Sequence, residues 1–238
     1  MSEAEERRVP PPTSLGQAVR RAAVDLYYNS MRLVAANLAW AFGLLLVAFL
    51  VPRTLAALPL AIVVVPLSIG LMGMATHLVR NGHVSLSDFA DAVRSRFLAH
   101  FGLGLAQLIL GFIALVDLGI GLQTPGFIGP ALTVSAIYAL VALWVVGVAA
   151  WPILLDPVRG DEPVLARLRL GALLALAHPI RLGGLALLLA ILLALSTVFI
   201  VVLLTVAGAL AALLAAHYVL PAADRIEGRA TLEVEDSD

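Results

Sequence analysis

The chain has no cysteine and no lysine among its 238 residues. The first absence excludes disulfides, thiolate catalysis and cysteine-ligated metals outright. The second makes all fifteen basic residues arginine, a bias for which we have no physical account. Charge of either sign is scarce: charged residues make up 13% of the chain, and the formal net charge is −1. There is therefore no basic field for nucleic acid. The middle of every long apolar stretch also lacks Asp, Glu, Lys, Arg and His. Proton pumping and charge-coupled transport need an ionisable group facing a bundle interior, so the pattern argues against both and leaves open passive transport of a neutral solute.

What is abundant is apolar: 61% of residues are hydrophobic, and the mean hydropathy is +1.01. A soluble domain of this size could not hide that much apolar surface, because burial stops near three-quarters of the total. Several runs are long enough to cross a hydrocarbon core about 30 Å thick. The expected fold is all-α: a polytopic membrane bundle of six spans arranged as three hairpins, each preceded by a cytoplasmic amphipathic helix.

The spans are expected at about 33–51, 58–79, 100–118, 131–155, 180–197 and 200–220. The first reads as an uncleaved signal-anchor. Residues 1–12, charged and then proline-rich, and the acidic tail at 223–238 read as disordered, leaving 13–222 as one membrane domain. Ser14 and Gln17 form a capping-box pattern that opens the first surface helix, with Leu15, Ala18, Val19, Ala22 and Leu26 on one face. Ser85 or Ser87 opens the second, with Phe89, Val93 and Phe97 at helical spacing. The third runs from about Pro163 to Ala177, with Leu165, Leu168, Ala172 and Leu176 on one side. The tract Leu182–Leu220 would be nearly 60 Å long as one helix, twice a bilayer. It is two spans, or one span and a protruding helix; Ser196-Thr197 is the only polar pair at which it could turn.

Arginine placement favours six spans. With six, the termini and the two long loops share one side, which holds fourteen arginines, among them Arg21, Arg80, Arg94, Arg159, Arg167 and Arg225; the other side holds only Arg53. By the positive-inside rule both termini are cytoplasmic. Five spans would export Arg225 and Arg229. Arg21, Arg94 and Arg167 recur at a spacing of 73, a mark either of internal repetition or of coincidence in a hairpin protein.

Certain residues, taken in order, resemble the YesL family of bacterial membrane proteins, a domain of unknown function numbered 624. They are Asn37 and Trp40 in the first span, then Pro66, Gly70 and Arg80, then Asp88, Phe89 and Phe97, and later Pro152 and Pro179. The resemblance covers roughly residues 14–222. This chain departs from the family in its proline-rich N-terminus and its alanine- and leucine-biased end. The family has no established activity or cofactor; its members accompany genes for carbohydrate uptake. The resemblance therefore implies an accessory or scaffold role beside another membrane complex such as a sugar importer, with the lipid bilayer as the other partner.

The residues themselves offer little chemistry. Asn37, Ser68, Gln107, Thr133, Ser135, Ser196, Thr197 and Thr205 are polar side chains within spans. They read first as bonds between helices. The alternative is a path for a neutral solute such as a sugar, lined by Asn37, Gln107, Ser196 and Thr197. Thr205, Ala209, Ala212 and Ala216 form a small-residue stripe that suits close helix packing. The five histidines fall at the cytoplasmic end, where wet polar tips are the ordinary outcome. With Asp88, Asp156 and Asp224 they show no metal-ligand spacing, so no metal is expected. Asp117 and Asp156 read as solvated boundary residues. No phosphate loop, nucleophile elbow or zinc-protease motif is present, and neither catalysis nor a cofactor is expected.

Overall fold

The computed structural model describes residues 14–50 and 61–228, and all regular structure among them is helical. The helices are α1 (Leu15–Tyr28), α2 (Ser30–Leu50), α3 (Ala61–Asn81), α4 (Leu86–Arg94), α5 (Phe97–Gln123), α6 (Ile128–Leu154), α7 (Val164–Ala177), α8 (Pro179–Val198) and α9 (Ile200–Ile226), with a 3-10 turn at Pro157–Arg159. Helices α2, α3, α5, α6, α8 and α9 are long and apolar enough to cross a membrane. The expected disorder at 1–12, the turn around Arg53, the first residues of the second span and the tail beyond 228 lie outside the described residues.

The outside of the bundle is what a bilayer requires. Helices α5 and α6 bury only 11% and 17% of their most apolar windows, and they present Ile109, Phe112, Ile113, Ile137, Tyr138 and Val141 outward. So much exposed apolar side chain on adjacent helices is far beyond the patches that soluble monomers tolerate.

Helix α9 is the centre. It packs against α1, α2, α3, α6, α7 and α8. Its alanines explain this: Ala209, Ala212, Ala216 and Ala223 are buried, and short side chains let neighbouring backbones approach closely. The tract 182–220 breaks at Phe199, so α8 ends there and α9 packs back on it. Near its start α9 widens into a π segment, Leu203–Ala207. A π segment frees backbone groups from the helical ladder, and in an apolar interior these need another partner. Asn37 of α2 supplies it. Its Nδ2 donates to the Leu203 and Leu204 carbonyls at 2.8 and 2.7 Å, and its Oδ1 accepts from the Ala209 N–H at 2.8 Å.

Two expectations about surface helices and one about the last span are corrected. Phe97 does not continue the second one. The chain leaves the helix after Arg94, turns through Arg96 in the left-handed region (φ 48°), and Phe97 begins α5, stacked on Phe101 at 5.1 Å. In α7 the buried face is Arg167, Leu170, Gly171 and Leu174, while Leu165 and Leu176 are exposed. The reason is steric: a Cβ at Gly171 would lie 2.9 Å from the Ala150 backbone, so α7 meets α6 where it carries no side chain. Finally, the last helix does not stop at 220 but runs to Ile226, held by charged contacts described below. The opening of α1 follows its sequence pattern, with Ser14 and Gln17 exchanging capping bonds of 3.1 and 3.2 Å.

Candidate functional site

A cavity of about 490 Å³ lies between α2, α3, α5, α6, α8 and α9, partway along the long helices. Small residues open it. Gly104, Gly147 and Gly208 each leave space that a Cβ would contest with Val65, Gln107 or the Trp40 ring at 2.5–2.6 Å. All three tryptophans of the chain, Trp40, Trp144 and Trp151, line it, with aliphatic residues such as Val65, Ile69 and Leu189 between them.

Its polar atoms are engaged. Trp40 Nε1 donates to Ser68 Oγ at 3.0 Å, and Trp144 Nε1 donates to the Ala186 carbonyl at 2.8 Å. Trp151 Nε1 donates to Gln107 Oε1 at 2.7 Å, while Gln107 Nε2 donates to the Leu143 carbonyl at 3.2 Å. Among the described residues, none that lines the space is ionisable. The walls therefore offer aromatic faces and alkyl groups, with few free hydrogen bonds.

The four residues of the expected polar path do not share this cavity. Gln107 lines it, but Asn37 is spent on the π segment of α9. Ser196 and Thr197, at the far end of α8, donate within their own helix to Leu192 and Ala194 carbonyls, each at 2.6 Å. Thr133, Ser135 and Thr205 likewise bond to carbonyls three or four residues back. Within these helices hydroxyls satisfy themselves locally, as serine and threonine readily do, and the expected bonding between helices falls to Asn37, Ser68 and Gln107.

The family-like positions have structural tasks. A Cβ at Gly70 would strike the Phe89 ring at 2.6 Å, so these two seat α4 on α3. Asp88 Oδ2 accepts from the Ser85 N–H at 2.6 Å and closes the start of α4. Pro66 and Pro152 lie inside α3 and α6, and Pro179 opens α8.

Arg80 belongs to a cluster that sequence reasoning misses. It donates through Nε and Nη2 to Asp156 at 3.0 and 2.6 Å, and through Nη1 and Nη2 to Asp224 at 2.8 and 2.9 Å. Arg159 donates to Asp156, to Asp224 at 2.7 Å and to Glu227 at 2.7 Å. Asp156 is thus no solvated boundary residue; it is 1% exposed, and Arg159 is fully buried. Burial opposes the Arg159 charge, but its hydrogen bonds to Glu227 and Asp224 and the charge of Asp156 outweigh it, so its guanidinium sits above its ordinary value. The cluster ties α3, the 3-10 turn and the end of α9 together, which is why the helix outlasts its apolar stretch. Two histidines also depart from expectation: His100 is 2% exposed, and His217, 8% exposed, pairs with Asp25 of α1 at 2.7 Å. The signal available for this cluster was the crowding of Asp156, Arg159, Asp224 and Glu227 at helix ends, which by itself does not separate a buried network from a wet one.

No protein-family model, curated protein or solved structure matches the chain.

Proposed function

We propose that this is a multi-pass inner-membrane protein of the accessory kind, whose working part is the tryptophan-lined cavity and whose guest is predominantly apolar. The lining carries the reading. A sugar entering it would strip its hydroxyls of water at about 1–3 kcal/mol each and find the wall's polar atoms already taken. An alkyl chain or hydrocarbon ring arriving from the bilayer gives up no hydrogen bond and gains dispersion contacts with three indole faces. Without an ionisable group at the wall, the cavity holds its guest and neither pumps nor transforms it.

In this reading the chain forms three units, each a surface helix followed by two spans, and the arginine-rich end faces the cytoplasm. The YesL-like residues support placing the protein beside a carbohydrate importer, with the guest as its handle on the membrane.

Because every tryptophan lines the cavity, intrinsic fluorescence reports on occupancy without a label. In detergent micelles, a brominated long-chain alcohol produces a saturable quench in the wild type. Ala211→Phe, which fills the space from α9, removes the saturable part. Glucose changes nothing. Quenching that is linear and equal in both proteins, or a saturable response to glucose alone, would overturn the reading, and the second would point to a sugar permease.

A further inference from the structure

A second cavity, of about 250 Å³, lies one helical turn from the first along α3, α5 and α6, roofed by α4 and α7. Its wall includes His77, Asp88, Asp91, Arg96, His100 and Arg167. Two of these are buried without being satisfied. Nε and Nη2 of Arg167 lack a hydrogen-bond partner, and the His100 ring makes no well-formed hydrogen bond, with only the Ser95 and Leu154 carbonyls beside it, although each residue is only 2% exposed. Orphaned buried donors are rare and costly, most of all on a charged group.

The backbone makes the arrangement deliberate. The Gly171–Ala150 contact draws α7 onto α6 and carries Arg167, one turn earlier on the same face, into the interior. There Nη1 donates to the Leu154 carbonyl at the end of α6, which orients the fork and leaves its other nitrogens for something else. Arg96 is the one non-glycine among the described residues with positive φ, a conformation that costs free energy and clusters at binding sites. From it Nη1 donates to the Glu162 carbonyl at 2.6 Å, so its charge is fixed nearby. Burial, with the Arg96 charge acting in the same sense, lowers the Arg167 guanidinium from its ordinary value; Glu162 and Asp156 offset this only in part.

We infer that this cavity binds a phosphate ester carrying one negative charge, received by Nε and Nη2 of Arg167 and by His100. The carboxylates on the wall set the charge. Asp156 is consumed by Arg80 and Arg159, and Asp88 holds the Ser85 N–H, but with Asp91 at the rim they make a doubly charged guest unfavourable. A guanidinium with two parallel donors matches two phosphate oxygens. The ester is either a phospholipid headgroup or a soluble phosphodiester. This site does not depend on what fills the tryptophan-lined cavity.

The test is thermal stabilisation of the detergent-purified full chain, titrated at constant ionic strength. Four probes are used: dioctanoylphosphatidylglycerol, its phosphate-free counterpart dioctanoylglycerol, glycerophosphoglycerol, and chloride as control. A saturable shift with the phospholipid alone supports the site and assigns it to a headgroup. A shift with glycerophosphoglycerol as well supports it and assigns it to phosphodiesters at large. Arg167→Met weakens the apparent affinity about tenfold or more, the worth of a charge-assisted pair of bonds. His100→Leu is the second variant should the first lose its fold. Equal shifts from dioctanoylglycerol and phosphatidylglycerol, no shift from any probe, or a titration unchanged in both variants would overturn the proposal.

Discussion

Replacing Asp156 by alanine lowers the melting temperature of the purified protein by on the order of 10 °C, corresponding to about 3–5 kcal/mol for breaking a buried ion pair. The carboxylate is 1% exposed and serves three donors: Arg80, Arg159 and the Val158 N–H at 3.1 Å. Its removal leaves two guanidinium groups, one fully buried, to share Asp224 and Glu227. The loss exceeds that expected of a surface pair, about 0–1 kcal/mol, because the fully buried Arg159 charge cannot return to water. If the five groups act as one unit, Asp156→Ala combined with Arg159→Met costs at least about 1 kcal/mol less than the sum of the two single changes. A scanning-fluorimetry series in one detergent checks both points. A fall of only a degree or two for Asp156→Ala would mean that the cluster is wet.

Asn37→Leu costs about 2–4 kcal/mol, nearly all of it from backbone groups on a different helix. The substitution keeps the volume and removes the side chain that bonds Leu203 O, Leu204 O and Ala209 N together. These groups are surrounded by Ala41, Leu203 and Ala207, all buried, and apolar side chains cannot replace the amide. Hydrogen exchange at the amides of 203–209 rises most, because the π segment loses its anchor while the remainder of α9 keeps its ladder. Uniform exchange along α9, with an unchanged melting temperature, would show that the segment closes without Asn37.

The six long helices were legible because membrane spans announce themselves by length and hydropathy, which are local properties. The capping pair Ser14 and Gln17 was legible for the same reason. What escaped was set by contacts distant in sequence. Asn37 stood out as a polar residue in a span, yet its partner is a π segment 166 residues away, with no pattern in Leu203–Ala207 to announce it. Asp156 and His100 sit at helix ends, where hydropathy predicts water; they are dry because α4 and α7 fold over them. That covering follows from glycines at 73 and 171, where a Cβ would come within 2.1 Å of Ala92 and 2.9 Å of the Ala150 backbone. In α7 an arginine on the buried face inverts the ordinary reading of an amphipathic pattern, so leucine spacing pointed to the wrong side. The three tryptophans meet around one cavity, and a cavity bordered by six helices is a property of their joint packing and of no segment alone.

The measurement that tests the account most directly is cysteine labelling, for which a cysteine-free chain is ready-made. Gln123→Cys sits at the exposed end of α5, beside the turn to α6, and Ser87→Cys is exposed on α4, at the end where the charged cluster gathers. In intact cells a membrane-impermeant maleimide labels Gln123→Cys and leaves Ser87→Cys unmodified until the cells are opened. Labelling of Ser87→Cys from outside, or of both positions in intact cells, would contradict a six-span protein with its arginine-rich end in the cytoplasm.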